Sequence, residues 1–369
     1  MRFPEFTEEW KAEQLDNIAT LSKGIGISKE QLSEDGEPCI LYGELYTKYK
    51  SEIIKQVESK TDINGSKLKR SKANDVIIPC SGETAVDIAT ARCVPFDNIL
   101  FGGDLNVISL HQYDGAFMSY QLNGKRKYDI ARVAQGVSIV HLYGEHLKAI
   151  KTYNPTLPEQ QKIAKLLSLL DDRIDTQNKI IEKLQSLIKG IAQHYIKEST
   201  SGNTYVKLGD ICQITTGKLD ANAQVDNGIY PFFTCAEQPF KIDSFAFDTE
   251  ALLISGNGAN LGYINYYKGK FNAYQRTYVL DLFSENIQYI KWALKVLLPK
   301  RIAIEKSSSN TPYIVLSTLT DLRLPIPCKS KQSFIANLMQ SLERKLSNQI
   351  AQYDSYNYLK QYLLRQMFI

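Results

Sequence analysis

The chain has 369 residues, which is too long for one average domain and predicts two or three compact units. A net charge of +4 is too small to establish a nucleic-acid partner, and six cysteines without a Cys-x-x-Cys pair speak against a zinc site and favour reduced thiols. Because no apolar signal core opens the chain and no run approaches the ~20 apolar residues of a membrane span, we expect a soluble, cytoplasmic protein that does not bind a membrane.

The first distinctive segment is rich in lysine. Eight cationic residues lie between Lys48 and Lys72, and the stretch from Ser51 to Val57 predicts a helix. A charged face in solvent is the simplest interpretation of such a run. In a protein that binds DNA, the same segment predicts phosphate contacts from Lys67, Lys69, Arg70 and Lys72.

A strand pattern at Asp75–Pro79 is followed by the polar turn Cys80–Thr84. Small and hydroxyl-bearing residues let a backbone approach a phosphate or a base edge closely, although any tight turn prefers the same residues. The candidate DNA contacts of this region are Ser81, Gly82, Thr84 and, as phosphate contacts, Lys125, Arg126 and Lys127.

A long helix is predicted next. Apolar residues recur at alternating steps of four and three from Ile163 to Tyr195, which is a heptad pattern nearly five repeats long. Pro158 suits a first helical turn and Gly202 lies just beyond the end, so a helix from Pro158 to Glu198 would be roughly 60 Å long.

The second part of the chain repeats this series of elements. A strand pattern at Ala251–Ile254 leads into the turn Ser255–Asn260. Gln275 and Arg276 carry the side chains that pair best with adenine and guanine in the major groove, although exposed polar groups on a strand are the plain alternative. The candidate DNA contacts here are Ser255, Asn257, Asn260, Gln275, Arg276, Lys300, Arg301, Lys306 and Asn310.

A second heptad pattern runs from Ile335 to Met367 and is interrupted by Lys360. Gln177 and Gln349 occupy equivalent positions near the middle of the two helices. If the helices pack antiparallel, the two amides meet and fix the register of the pairing, at some cost in stability. A homodimer zipper is the alternative, but each apolar stripe already has a partner within the chain.

The chain is an internal duplication. Leu15–Gly24 aligns with Leu208–Gly217 at a shift of 193, the pair Ser81-Gly82 with Ser255-Gly256 at 174, and Gln160 with Gln332 at 172. The falling shift indicates about 19 extra residues between Glu44 and Ser81. Two similar units separated by a rigid spacer suit a two-part DNA site whose halves lie about one helical turn, ~34 Å, apart.

Several segments resemble the specificity subunits of Type I restriction-modification enzymes. The central segment reads Leu157-Pro158-Glu159-Gln160-Gln161-Lys162-Ile163-Ala164 and continues into the apolar helix. Further similarity lies in Arg2–Phe6, Ile211–Gly217, Ser255–Gly258 and Gln275–Thr277. The second copy departs from the pattern at Lys329–Gln332, where the Pro-Glu before the glutamine is absent, and this puts identical partner contacts in doubt there.

The resemblance implies an α+β fold with two target recognition domains, residues 1–153 and 199–327. The helices at 154–198 and 328–369 would pair as an antiparallel intramolecular coiled coil with pseudo-two-fold symmetry. It further implies a non-catalytic subunit that binds double-stranded DNA, two methyltransferase subunits and motor-nuclease subunits. S-adenosylmethionine and ATP would belong to those partners, and this chain would bind neither.

Motifs for catalysis are incomplete. The string Asn154-Pro155-Thr156-Leu157 lacks the second proline and the aromatic ring of an adenine methyltransferase, and Thr216–Leu219 lacks the spacing of a phosphate-binding loop. Glu58-Ser59-Lys60 has no nuclease-like Pro-Asp strand before it, and the four histidines form no metal or triad spacing. A coiled-coil adaptor whose end domains bind proteins is the alternative function, and salt-sensitive DNA binding would distinguish the two.

Overall fold

The computed structural model describes residues 2–64, 67–136, 139–199, 204–306 and 313–368. The chain divides into two compact units: unit 1 comprises Met1–Asn178 with Ala351–Ile369, and unit 2 comprises Lys179–Ile350. Each unit mixes helices with strands, which confirms the predicted α+β class. Both unit boundaries fall inside long helices, so each unit contains a part of both.

Unit 1 begins with short strands and helices. Its strands are β1 (Lys11–Gln14), β2 (Ala19–Lys23), β3 (Leu32–Ser33), β4 (Glu37–Ile40), β5 (Lys60–Thr61), β6 (Lys69–Arg70), β7 (Asp75–Pro79), β8 (Ser81–Gly82), β9 (Arg92–Val94), β10 (Leu100–Phe101), β11 (Leu105–Leu110), β12 (Val140–His141) and β13 (Lys151–Asn154). Its helices are α1 (Leu15–Ile18), α2 (Glu44–Thr47), α3 (Ala85–Ile88), α4 (Gly115–Asn123), α5 (Lys127–Val133), α6 (Gly144–Lys148) and the first half of α7 (Leu157–Glu198).

Unit 2 contains fewer and longer strands. They are β14 (Thr204–Lys207), β15 (Gln213–Thr216), β16 (Tyr230–Phe233), β17 (Phe240–Ile242), β18 (Phe247–Ser255), β19 (Ile264–Ala273), β20 (Thr277–Asp281) and β21 (Arg323–Ile326). The helices after α7 are α8 (Ile287–Lys306), α9 (Leu316–Thr320) and α10 (Lys329–Gln366), which returns to unit 1.

The helix predicted from Pro158 to Glu198 is confirmed, because α7 begins one residue earlier and ends at the same residue. The helix predicted at Ser51–Val57 is wrong. Ile53 instead forms a bridge with Cys93, and the amide of Ile54 donates to the carbonyl of Cys93 at 2.9 Å. The buried β-branched side chain of Ile54 is part of the core, so packing against β9 decides the conformation of this segment.

In the described part of unit 1, a sheet of order β2-β11-β7-β9 and a second of order β3-β5-β4-β10-β6 form the framework. Strands β5 and β6 come from the lysine-rich segment and flank the parallel pair of β4 and β10. In unit 2 the order β15-β20-β18-β19-β16-β17 combines these elements in one sheet. The lysine-rich segment is therefore a structural part of unit 1 as well as a source of charge.

The duplication is visible in individual backbone hydrogen bonds. The amide of Gly24 donates to Leu105 at 2.9 Å, and the amide of Gly217, 193 residues later, donates to Thr277 at 3.2 Å. The parallel pairing of Phe101 with Ile40 likewise recurs as Ala273 with Phe233. These pairs have shifts of 193 on one partner and 172 on the other, so the two copies share one scaffold.

The predicted alignment of Ser81 with Ser255 at a shift of 174 is wrong by two residues. The amide of Cys80 donates to Asp104 at 2.7 Å, and the amide of Gly256 donates to Arg276 at 2.8 Å. These two bonds are equivalent, so the shift is 176 (256 minus 80) and Ser81 corresponds to Asn257. A match of two short residues is too weak to fix an alignment across an insertion, whereas the ladder fixes it directly.

A glutamine side chain is bound identically in both copies at the start of each long helix. Gln160 accepts from the amide of Asp114 at 2.9 Å and donates to the carbonyl of Pro155 at 2.8 Å. Gln332 accepts from the amide of Asn286 at 3.0 Å and donates to the carbonyl of Pro327 at 2.9 Å. All three positions are shifted by 172, so this contact survives the loss of the Pro-Glu pair in the second copy.

Each unit packs part of α7 against part of α10. In unit 1, Ile163 and Leu167 share a buried cluster with Leu363 and Met367. In unit 2 the rings of Tyr195 and Phe334 lie 5.8 Å apart, and a larger cluster contains Leu184, Ile188, Ile335, Met339 and Leu342. The apolar stripes predicted from the heptad patterns are therefore the packed faces of both helices.

Lys360, which interrupts the second heptad pattern, is buried in unit 1. Its ammonium group lies 2.5 Å from Glu52 and 2.7 Å from Asp171 on α7. Asp171 also accepts hydrogen bonds from Tyr120 at 2.7 Å and from Ser51 at 2.8 Å. The lysine thus occupies a packed position because two buried carboxylates neutralise it.

Two glycines are required by close backbone contacts. A Cβ at Gly217 would lie 1.9 Å from the carbonyl oxygen of Ala273, whereas a Cβ at Gly190 in α7 would meet nothing within 4 Å. We expect Gly217→Ala to lower the free energy of unfolding by about 3 kcal/mol and Gly190→Ala to raise it by about 0.5–1 kcal/mol. Denaturant unfolding of both variants measures this, and equal stabilities would contradict the close approach.

Candidate nucleic-acid interface

In unit 2 the turn after β18 is joined to the loop after β16. The thiol of Cys235 donates to the side-chain oxygen of Asn257 at 3.0 Å, and the side-chain amide of Asn260 donates to the carbonyl of Cys235 at 3.0 Å. The carbonyl of Gly256 accepts from Ile314 at 2.9 Å. Asn257 and Asn260 therefore have fixed orientations at the end of the central strand.

Gln275 and Arg276 lie beside this turn, between β19 and β20. Their main chains are held, because the amide of Gln275 donates to Leu219 at 2.9 Å and the carbonyl of Arg276 accepts from Gly256 at 2.8 Å. Both side chains are exposed, and within the described residues Arg276 has no ion pair with an acid. A rigid backbone that presents free guanidinium and amide groups is the geometry that direct base readout requires.

Ser255 differs from its predicted neighbours. Its side chain is buried, at 2% exposure, in the end of β18. The structure therefore speaks against a direct contact between this hydroxyl and DNA, and assigns Ser255 to the sheet.

The corresponding turn of unit 1 is built from different side chains. Ser81 and Gly82 form β8, which pairs with β12, so the predicted free turn at Cys80–Thr84 is partly strand. The hydroxyl of Tyr46 donates to the carbonyl of Ser81 at 3.1 Å, and the hydroxyl of Ser81 lies 3.3 Å from Nδ1 of His141. Thr84 caps α3 by accepting from the amide of Asp87 at 3.1 Å.

A cavity of about 680 Å³ opens beside this turn. Its lining includes Tyr42, Tyr46, Ser81, Gly82 and Glu83. Tyr42 and Tyr46 are partly exposed and present aromatic surface where unit 2 has the Cys235 loop. The two copies thus present chemically different surfaces on one scaffold, as recognition of two different sequences would require.

The lysine-rich segment divides into bound and free cations. Arg70 forms a bidentate contact with Glu37 at 2.6 and 3.0 Å, Lys48 pairs with Glu44 at 2.7 Å, and Lys55 pairs with Asp172 at 2.8 Å. Lys67, Lys69 and Lys72 form no ion pair within the described residues, and Lys67 and Lys72 are fully exposed. Three of the four predicted phosphate contacts thus remain available, whereas Arg70 already has an acidic partner.

The remaining predicted cations also differ in availability. Arg126 pairs with Asp129 at 3.1 Å and lies over the ring of Tyr153 at 5.2 Å, whereas Lys125 and Lys127 line a cavity and have no ion pair among the described residues. Arg301 pairs with Glu305 at 2.7 Å, and Lys300 is exposed. The side chain of Lys306 and the whole of Asn310 lie outside the described residues.

Gln177 and Gln349 belong to different units, and their predicted contact stays a prediction. Gln177 is buried and Gln349 is half-buried, in keeping with positions on the packed faces of α7 and α10.

The sequence interpretation missed the side chains that complete each surface, namely Tyr42, Tyr46, His141 and Cys235. A signal was present, because the shift of 193 that aligns Glu44 with Glu237 also aligns Tyr42 with Cys235. Among the described residues, no helix combines the length and apolar character of a membrane span. Nor does any group of three or more histidine, cysteine, aspartate or glutamate residues within them form a candidate metal centre.

These features define a duplicated α+β protein in which each copy presents polar turns and unpaired cations. The chain belongs to the family described as the Type I restriction modification DNA specificity domain, whose model matches residues 7–186 and, a second time, residues 200–353. The family predicted from the sequence is thereby confirmed.

Curated relatives share this family. The EcoDI specificity subunit of Escherichia coli is 44% identical over 137 residues, which cover 37% of this chain and 30% of that protein. The MjaVIII specificity subunit of Methanocaldococcus jannaschii is 23% identical over 394 aligned positions, covering 91% of this chain and 86% of that protein. The stronger match therefore spans less than a third of the E. coli relative.

The fold also matches a solved structure. The S subunit of a Type I restriction-modification system from M. genitalium superposes with a TM-score of 0.70 at 19% identity, and the alignment covers 100% of this chain and 97% of that one. At this identity the similarity demonstrates the common fold alone.

Proposed function

We propose that this chain is the DNA-binding specificity subunit of a Type I restriction-modification complex and that it is not itself catalytic. Each unit reads one part of a two-part target through the turns described above. The observation that carries this proposal is the repetition of one scaffold, hydrogen bond for hydrogen bond, with different side chains at the same turn. Gln275 and Arg276 in unit 2 and the Tyr46–Ser81 surface in unit 1 are the proposed base-reading regions.

We further propose that α7 and α10 pair as an antiparallel coiled coil that fixes the spacing of the two half-sites. The contacts inside each unit support this pairing. In unit 1 the start of α7, at Ile163, shares a cluster with the end of α10, at Met367. In unit 2 the end of α7, at Tyr195, contacts the start of α10, at Phe334. Gln177 and Gln349 would then meet near the midpoint and fix the register.

The same helices are the proposed docking sites for two methyltransferase subunits, with motor-nuclease subunits joining the complex. Exposed apolar side chains on both helices support this, among them Leu169, Leu187 and Tyr358, because such surfaces are unfavourable unless they are covered. S-adenosylmethionine and ATP would bind to those partners and not to this chain. The complex would act on double-stranded DNA in the cytoplasm.

Methylome sequencing tests the proposal directly. A host that expresses this chain with its methyltransferase subunit should acquire N6-methyladenine in one motif with two defined parts and an unspecified spacer. A host that expresses the methyltransferase alone is the control. A motif without two parts, or methylation that does not depend on this chain, would reject the proposed function.

The free cations of the lysine-rich segment give a second prediction. We expect Lys67→Glu with Lys69→Glu and Lys72→Glu to weaken DNA binding by the complex at least about tenfold near 0.1 M salt, because three phosphate contacts become repulsive. The effect should decrease as salt is raised. Titration of a labelled target duplex measures it.

Charge reversal is preferable to deletion here, because the same segment provides β5, β6 and the buried Ile54. Lys55→Gln is the matched control, since Lys55 already pairs with Asp172 and Asp175. If the control weakened binding as much as the triple variant, the assignment of the free lysines to phosphate would be wrong.

A further inference from the structure

A second cavity of unit 1, about 610 Å³ in volume, gathers cations from distant parts of the sequence. Its lining includes Lys50 from the lysine-rich segment, Lys125 and Lys127 near α5, and Arg365 from the last turn of α10. Arg92 lies at its base and Glu52 is the single acid of the lining. Five cations and one carboxylate leave four net positive charges around one cavity.

These charges are not neutralised within the protein. Glu52 is bound to Lys360 at 2.5 Å. Arg92 is buried and donates to the carbonyls of Tyr49 at 2.8 Å and Ala91 at 3.0 Å. Lys50, Lys125, Lys127 and Arg365 have no ion pair within the described residues. Four unpaired cations around one cavity repel one another, and a ligand with several negative charges relieves that repulsion.

The cavity adjoins the proposed recognition surface. Thr90 and Arg92 line both this cavity and the one beside Ser81 and Gly82. A nucleic-acid strand in contact with the recognition turn would therefore continue past the four cations. Tyr128, at 64% exposure, also lines the cavity and offers a ring surface at its edge.

We propose that this cavity binds backbone phosphates of the DNA that flanks the first half-site, with Lys50, Lys125, Lys127 and Arg365 as the contacts. The inference rests on the proposed DNA-reading function and adds the C-terminal helix to the DNA-binding surface of unit 1. At the shift of 172 the positions of Lys125 and Lys127 are Leu297 and Pro299 in unit 2. The phosphate site therefore belongs to one half of the target only.

The test compares the salt dependence of DNA binding by the complex with its methyltransferase partner. The variant combines Lys50→Gln, Lys125→Gln, Lys127→Gln and Arg365→Gln, and the control combines Lys11→Gln with Lys29→Gln, two exposed lysines that line neither cavity. Each lost phosphate contact lowers the slope of log K against log salt by about 0.9, so we expect the variant slope to be less steep by about 2–4. The control slope should change by less than about 1.

The same complex is titrated with inorganic triphosphate, which distinguishes DNA phosphate from a small polyphosphate. Competition of triphosphate with DNA in the unaltered complex, lost in the quadruple variant, would support the phosphate site. Triphosphate binding together with an unchanged DNA slope would overturn the assignment to DNA. An unaltered complex that does not bind its motif would reject the proposed function itself, whereas motif binding with equal slopes rejects only this inference.

Discussion

Replacing Lys360 with methionine is expected to lower the free energy of unfolding by about 3–5 kcal/mol, because it leaves two buried carboxylates without a cation. Glu52 and Asp171 are both almost completely buried, and both lie within 2.7 Å of the lysine ammonium group. Denaturant unfolding of the purified chain measures the loss. Gln361→Ala, an exposed change on the next residue, should have almost no effect.

A compensating variant separates charge from packing. Lys360→Met combined with Glu52→Gln and Asp171→Asn should recover a substantial part of the stability, because no unpaired charge remains buried. If Lys360→Met were no more destabilising than Gln361→Ala, the network would not be stabilising the packing of α10 on unit 1.

The pH dependence has a defined direction. Burial alone would lower the pKa of Lys360, but the nearby Glu52 and Asp171 outweigh burial and raise that pKa above its ordinary value. The stabilising contribution is therefore complete below the ordinary lysine pKa and is lost only as pH rises through the raised pKa. The difference between the native chain and the methionine variant should stay constant across neutral pH and decrease only in strongly alkaline solution.

Replacing Gln275 and Arg276 with alanine is expected to abolish discrimination at one half-site while the other is still read. Each bidentate contact to a base contributes about 1–3 kcal/mol of discrimination, so each loss corresponds to roughly 5–150-fold. The chain should remain folded, because the hydrogen bonds that hold these residues involve only their main chains. Binding of the complex to duplexes changed in one half-site at a time measures the effect.

Arg276→Lys is the matched variant for this prediction. It keeps the positive charge but loses the planar fork that binds guanine at two positions. We expect the lysine variant to lose specificity with little change in the salt dependence of binding. Full discrimination by that variant would indicate that Arg276 contacts a phosphate instead of a base.

Much of the architecture was predictable because it depends on repeating patterns. The heptad patterns predicted α7 closely and identified the packed face of α10, since an apolar stripe must be buried whatever covers it. The strand at Asp75–Pro79 was likewise predicted to the residue. Short segments were less predictable, and the extended conformation at Ile53 and Ile54 is set by hydrogen bonds to a strand about 40 residues away.

The candidate site was predictable only in part, because exposure and pairing depend on distant residues. Nothing in the neighbourhood of Arg70 indicates that Glu37 neutralises it, or that Ser255 is buried at a strand end. Cys235 and Asn257 are 22 residues apart in sequence and are joined only when β16 and β18 share a sheet.

The sequence by itself determined the duplication, the family and the two long helices, because each is written as a repeated pattern of residue types. Only the tertiary structure decided which cations are free, where the copies align across the insertion, and why a lysine is tolerated at the packed position 360. The physical reason is that charge neutralisation and close backbone approach are pairwise, long-range properties. A local pattern contains one partner of each pair, and the fold supplies the other.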